Sequence, residues 1–304
     1  MADQNVLEHL RQLLASARAA LAPIVPKWLR GGAPVVPVVR LSGVIGLATP
    51  LKPGLTLASV AKPLEKAFAT RNARAVALLI NSPGGSPVQS HLIYRRIRQL
   101  AEENERTVIA FAEDVAASGG YMIACAADEI ICDQYAIVGS IGVVGGSFGF
   151  HKLMEKLGIE RRLYTSGERK AMLDPFLPEK PEDVERLKEV QREIHEGFID
   201  LVKQSRGARL TGPEKTLFSG EFWTGRKAVE FGIADGIGDL RATLRARFGD
   251  EVKMPLMAQE RSFFRRVLPG VGAGGLDGLL QRAGLAEDVI SALEARAWWA
   301  RYGL

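Results

Sequence analysis

A serine framed by small residues, Ala117-Ser118-Gly119-Gly120-Tyr121, follows the apolar run Val108 to Phe111 and precedes a segment rich in alanine. A serine at a helix start often only caps it. Here the flanking glycines and alanines also leave room for a substrate backbone, and a tight turn would aim the Gly119 N–H into the same space. A second turn, Asn81-Ser82-Pro83-Gly84-Gly85, follows another apolar run, Val76 to Ile80. Its glycines let the chain turn sharply and expose amides. An N–H of Gly84 or Gly85 could then join that of Gly119 in holding a developing oxyanion. The chemistry this set could perform is acyl transfer from a serine nucleophile.

Such a nucleophile needs a base. The four histidines, His9, His91, His151 and His195, stand in no setting that suggests a His–Asp pair. The alternative is a lysine. A free ammonium ionises near pH 10.4, and lowering that by about three units costs about 4 kcal/mol; burial beside apolar groups can impose the shift. Residue physics alone does not select one lysine among those present.

The elements that would carry these turns are legible. Val35 to Leu41, Val76 to Ile80 and Val108 to Phe111 read as buried strands; continuous apolar runs are typical of parallel sheets. Ile130 to Cys132 and Val143-Val144 read as further short strands. Helices are expected over Leu57–Ala69, Pro87–Glu103, Gly119–Ala127, Pro181–Lys203 and Gly225–Phe231. Leu57, Val60, Leu64 and Phe68 share one face of the first, and Ile93, Ile97 and Leu100 one face of the second. Val184, Leu187, Val190, Ile194 and Phe198 stripe the long charged helix. Strands alternating with helices predict an α/β fold.

Taken together, the strand-NSPGG, strand-DVAASGGYMIACAAD, YAIVGSIGVVGG and YTSGERKAMLDPF segments resemble the S49 peptidases, the signal-peptide-peptidase A family. The resemblance covers about residues 35 to 240, in order and spacing. It implies a ClpP/crotonase-like spiral of ββα units. It also implies Ser118 as nucleophile, Lys170 as general base and Ser140 as the hydroxyl that orients the lysine. Gly84, Gly85 and Gly119 would form the oxyanion hole. The activity implied is serine endopeptidase cleavage of extended, largely apolar peptides, such as signal-peptide remnants or unfolded proteins. It further implies a homo-oligomeric, octamer-like ring in which neighbouring subunits share each site.

The remaining features set the context. Forty basic and 35 acidic residues, net +5, are interleaved along the chain, so no nucleic-acid partner is expected. Cys125 and Cys132 lie in no metal-ligand spacing; no metal or other cofactor is expected. No run reads as a transmembrane span or a secretory signal. The expected location is the cytoplasm, with peripheral contact at the inner membrane allowed by residues 1–30. In that segment Leu7, Leu10, Leu14, Ala17 and Leu21 line an amphipathic helix that would pack on protein or lie at a membrane surface with Trp28 at headgroup level. The division expected is an N-terminal helix and hinge (1–32), a peptidase domain (33–250) and a helical appendage (251–304). Two other readings share the pattern. A crotonase-type acyl-CoA hydratase or isomerase would use the same amides on an enolate. A non-catalytic membrane scaffold would have no use for Ser118, Ser140 and Lys170.

Overall fold

The computed structural model describes residues 33–46, 54–258, 293 and 296–304. The expected N-terminal helix and most of the appendage lie outside the described residues. The strands are β1 (Val38–Ser42), β2 (Val76–Ser82), β3 (Val108–Ala117), β4 (Glu129–Cys132), β5 (Ile137–Gly139), β6 (Phe222–Thr224), β7 (Gly236–Ile237) and β8 (Leu256–Met257). The helices are α1 (Leu57–Phe68), α2 (Pro87–Glu103), α3 (Gly119–Ala124), α4 (His151–Lys156), α5 (Pro181–Arg206), α6 (Glu214–Leu217), α7 (Gly225–Glu230) and α8 (Leu240–Phe248).

The sheet runs β6-β5-β3-β2-β1-β8, with β4 pairing β3 and β7. Every pairing is parallel except β5 with β6. β3 organises it. Its first half, Ile109 to Ala112, pairs with β4, and its end, Val115 to Ala117, pairs with β5. On the other edge Ile80 faces Ala112 while Ser82 faces Ala116, so β3 carries two extra residues, Glu113 and Asp114. An extra residue bends and twists a strand. Arg40 binds Glu113 at 2.6 Å and Asn81 donates to Asp114 at 2.5 Å, fastening the bulge to β1 and β2. Repeated strand–helix units around a strand shared by two partners form the ClpP/crotonase-like spiral.

Local sequence explains the helices. Thr56 and Ser59 form a reciprocal capping box at the start of α1, satisfying two amides that a helix start leaves open. Val60, Leu64 and Phe68 are buried as their spacing predicts, and Ile93, Ile97 and Leu100 of α2 join them in the main core. Burying such a side chain is worth about 1.5–3 kcal/mol. The other face of the sheet is covered by α8 through Leu244, against Val38, Ile109 and Ile131. Two expectations fail locally. β3 extends to Ala117 rather than ending at Phe111, because Val115 to Ala117 acquire a partner in β5. Val143-Val144 is not a strand; Gly142, Gly145 and Gly146 surround it and no described strand lies alongside.

The end of α5 is held by a buried ion pair. The Arg206 side chain is 0% exposed and reaches both carboxylate oxygens of Asp235, at 2.7 and 2.8 Å. It also donates to the Gly232 carbonyl at 3.0 and 2.9 Å. Burial works to raise the Asp235 carboxyl, but bonds from Arg206 and the Ile130 N–H prevail and hold it below the usual range. Cys125 and Cys132 are free and buried, their thiols pushed up by burial to about 11 and about 12, so neither is a nucleophile at neutral pH.

Removing one partner of a buried pair strands the other charge, so Asp235→Ala should cost about 3–5 kcal/mol in urea denaturation. In the wild type, a carboxyl held below its unfolded value stabilises the fold above about pH 3.9 and loses that contribution as pH falls through the folded value. The variant should lack this part of the acid limb; an unchanged midpoint and unchanged acid limb would contradict the lock.

Candidate active site

Ser118 lies between the end of β3 and the start of α3. Its N–H bonds the Gly139 carbonyl at 2.8 Å, continuing the β3–β5 ladder by one residue, and its own carbonyl accepts Met122 N–H at 2.9 Å, opening α3. Serving both ladder and helix forces φ 52° and ψ −121°, a conformation that costs a non-glycine residue about 1–3 kcal/mol. The hydroxyl makes no capping bond and has no hydrogen-bond partner among the described residues. The Ser118 hydroxyl is thus left unengaged.

Gly84 lies against this side chain. A Cβ there would stand 2.7 Å from the Ser118 Cβ and 3.0 Å from the Gly119 nitrogen, and φ is +102°, so both space and backbone require glycine. Ser82 shapes the turn: its hydroxyl donates to the Gly43 carbonyl at 2.7 Å and accepts the Gly84 N–H at 3.2 Å. Residues 44–46 run parallel to residues 84–86 through Ile45, which bonds the Gly84 carbonyl and the Ser86 N–H at 2.8 Å each. Among the described residues the amides of Gly85 and Gly119 have no acceptor. Gly119 N–H is the first of α3, where no intrahelical acceptor exists. A free hydroxyl beside two unengaged amides suits attack on a carbonyl whose oxygen gains charge.

Ser140 is brought to the same corner. It follows Gly139 directly, is 5% exposed, and donates its N–H to Glu221 of the β6 approach at 2.7 Å. Lys170 is not brought there. It sits in an exposed turn, its N–H on the Gly167 carbonyl at 3.2 Å, and its ammonium has no hydrogen-bond or ion-pair partner among the described residues. The surrounding arm, residues 143–180, is held locally. Phe150 stacks on Phe176 at 5.6 Å, Arg161 lies 4.7 Å over the Phe176 ring, and Arg161 pairs with Asp174. It nevertheless presents Phe148, Leu157, Ile159 and Tyr164 to solvent. The outer turns of α5 are less exposed: of its expected stripe Phe198 is buried, and Val184, Leu187, Val190 and Ile194 are half-buried.

Sequence reading missed what the chain end does. Tyr302 is 7% exposed and packs with Trp299 on Val115, Ala117 and Ile137, beneath the Ser118 turn. Its hydroxyl donates to the Pro83 carbonyl at 3.4 Å, and its ring meets Phe222 edge-on at 5.1 Å. The cluster Trp298-Trp299 and Tyr302 was the available signal. Ser82 was also missed as a shaping residue, although it lies inside the quoted turn.

An α/β spiral with a strained, glycine-framed serine at a strand–helix turn is an arrangement that suits a serine hydrolase. The model of "Peptidase family S49" matches residues 101–253, and the chain belongs to this peptidase family. It is 31% identical over 316 residues to the chloroplastic serine protease SPPA of Arabidopsis thaliana, covering 94% of this chain and 46% of that protein. It is also 54% identical over 287 residues to a Brucella abortus (strain 2308) protein named Na(+)/H(+) antiporter NhaA. That match covers 93% of this chain and 39% of the Brucella protein; the chain thus spans under half the length of these relatives. A solved serine-to-alanine mutant of the membrane-bound stomatin-specific protease 1510-N superposes with TM-score 0.45 and 16% identity, covering 76% of this chain and 100% of that one. No helix among the described residues is long and apolar enough to cross a membrane.

Gly84→Ala should lower the rate of casein cleavage at least about a hundredfold, the scale of a disrupted oxyanion site. Gly249→Ala is the control: φ is +92° there, but a Cβ would meet nothing within 4 Å. It should cost about 1 kcal/mol of stability and leave cleavage intact. Equal activity loss in both would mean that backbone strain, not crowding at Ser118, is responsible.

Proposed function

We propose that the chain is an endopeptidase in which Ser118 is the nucleophile and Lys170 of a neighbouring copy is the general base. The observation that carries this reading is the strained Ser118, its hydroxyl unengaged beside the free amides of Gly85 and Gly119. A neutral Lys170 amine takes the hydroxyl proton as Oγ attacks the substrate carbonyl carbon. The Gly85 and Gly119 amides, on a turn shaped by Gly84, receive the oxyanion. On collapse the C–N bond breaks and the lysine ammonium gives its proton to the departing amine. Water then repeats the sequence on the acyl-enzyme, returning Ser118. Ser140, one residue past the carbonyl that holds Ser118 in place, would accept a hydrogen bond from the incoming amine and so orient it.

A lysine serves as base only when withdrawn from water, whereas Lys170 is exposed in the single subunit. The reading therefore requires a second copy to cover it. The apolar surface of residues 143–180 supports that requirement, since exposed apolar patches mark interaction surfaces. We infer an octamer-like ring with shared sites, acting on extended, largely apolar peptides that add as a strand. No metal or other cofactor enters this chemistry. The ring would work in the cytoplasm or at the inner-membrane surface.

The name of the Brucella relative favours a second reading, ion exchange. It is the weaker one for this chain, because the match covers 39% of that protein and coincides with the segment that carries the peptidase motifs. We assign the antiporter name to the part of that protein that this chain does not match.

Ser118→Ala and Lys170→Ala should each reduce casein cleavage at least about a thousandfold. Mixing the two after dissociation and reassembly should restore a measurable fraction of wild-type activity, because some sites then combine an intact serine with an intact lysine. Proven mixed assemblies without recovery would overturn sharing, and full activity in Lys170→Ala would overturn the base.

A further inference from the structure

Beside the unengaged Gly85 amide opens a groove of about 680 Å³, lined by Ile45, Gly85 and Val144 and, from a second segment, by Trp298 and Arg301. The second segment comprises helical residues 296–300 and the turn after them. It is fixed, because Tyr302, next to Arg301, is buried under the Ser118 turn and bonded to Pro83. Arg301 lies 5.7 Å over the Trp298 ring and 5.9 Å over the Tyr302 ring. Stacking on aromatic faces holds a guanidinium in place without neutralising it. Among the described residues it has no carboxylate partner, and no acidic side chain lines the groove.

We propose that the chain end is a specificity wall of the site: Trp298 and Val144 receive an apolar substrate side chain, and Arg301 receives a substrate carboxylate. This rests on the peptidase reading above and adds a charge requirement to it. In an extended peptide, side chains two residues apart leave the same face about 7 Å from one another. The groove therefore selects a glutamate or aspartate two residues from an apolar residue. An unpaired guanidinium suits a carboxylate because it can donate to both oxygens. Trp298 sets the width of the apolar part, so it also limits side-chain size.

Two fluorescent peptides, identical except for Glu or Lys two residues from a leucine, test this by cleavage and by anisotropy on the inactive Ser118→Ala background. Wild type should favour the Glu peptide several-fold through KM, with the preference shrinking as salt rises from about 0.05 to 0.5 M. Arg301→Gln should erase the preference. Arg301→Glu should invert it, changing the ratio of kcat/KM about tenfold, the scale of two exposed charge contacts. Trp298→Ala should admit a larger residue in place of leucine. An unchanged Glu/Lys ratio in Arg301→Glu, with cleavage still dependent on Ser118, would overturn the specificity wall alone. Cleavage unaffected by Ser118→Ala would overturn the peptidase reading, and the anisotropy ratio would still decide whether Arg301 reads charge.

Discussion

The structure depends on one strand having two partners on the same edge. β3 pairs first with β4 and then with β5, and the two strands diverge because Glu113 and Asp114 are inserted between the two pairings. A regular strand would have continued beside β4 and buried Ser118 in a ladder. The bulge turns the end of β3 toward β5, whose last residue accepts the Ser118 N–H. At that point α3 must begin, and the only way to satisfy both neighbours is a left-handed residue. The strain at Ser118 is therefore a consequence of topology, held in place by the ladder before it and the helix after it.

That local strain is supported from some distance. Tyr121, one turn into α3, donates its hydroxyl to the Ile233 carbonyl at 2.8 Å. Gly232, adjacent to it, accepts from Arg206, and Asp235, two residues on, takes both arms of the same guanidinium. Asp235 also accepts the first amide of the β4 ladder, from Ile130, at 2.7 Å. The long helix α5 and β4 thus share one buried charge pair, and α3 is tied to the residue beside Gly232 through Tyr121. A charge fully paired in low dielectric resists small displacements, because any loosening exposes an unbalanced ion. The ion pair acts on Ser118 as a positional constraint transmitted through Tyr121.

Much of this was legible in the sequence, and the part that was not has a physical reason. Apolar runs before Asn81 and before Ser118 located β2 and β3, since parallel strands buried on both faces need no alternation. Helix spacing located α1 and α2 with their buried faces. The far half of β3 was not legible: Glu113-Asp114 reads as a strand end, and only pairing with β5 shows that the chain continues. Val143-Val144 read as a strand by composition, yet a strand needs a neighbour and the flanking glycines offer none. The stripe on α5 was read correctly as apolar but not as only half-buried over its outer turns, because periodicity reports which face is apolar and not what lies against it. For Tyr302 the aromatic cluster Trp298-Trp299 and Tyr302 hints at burial, but what it packs against is a long-range contact to which local pattern is blind.

The division of labour within the proposed site follows from burial. The groups that must be placed to within tenths of an ångström, the serine and the amides, sit on strained backbone where Gly84 packs against Ser118. The group that must be desolvated, Lys170, rides on an arm whose apolar residues face water. A single chain cannot desolvate its own lysine there without a surface to press it against. If a second copy supplies that surface, the interface that buries the arm is also what neutralises the base, so catalysis rises with assembly by mass action. On that reading an isolated chain carries the proposed nucleophile without its base.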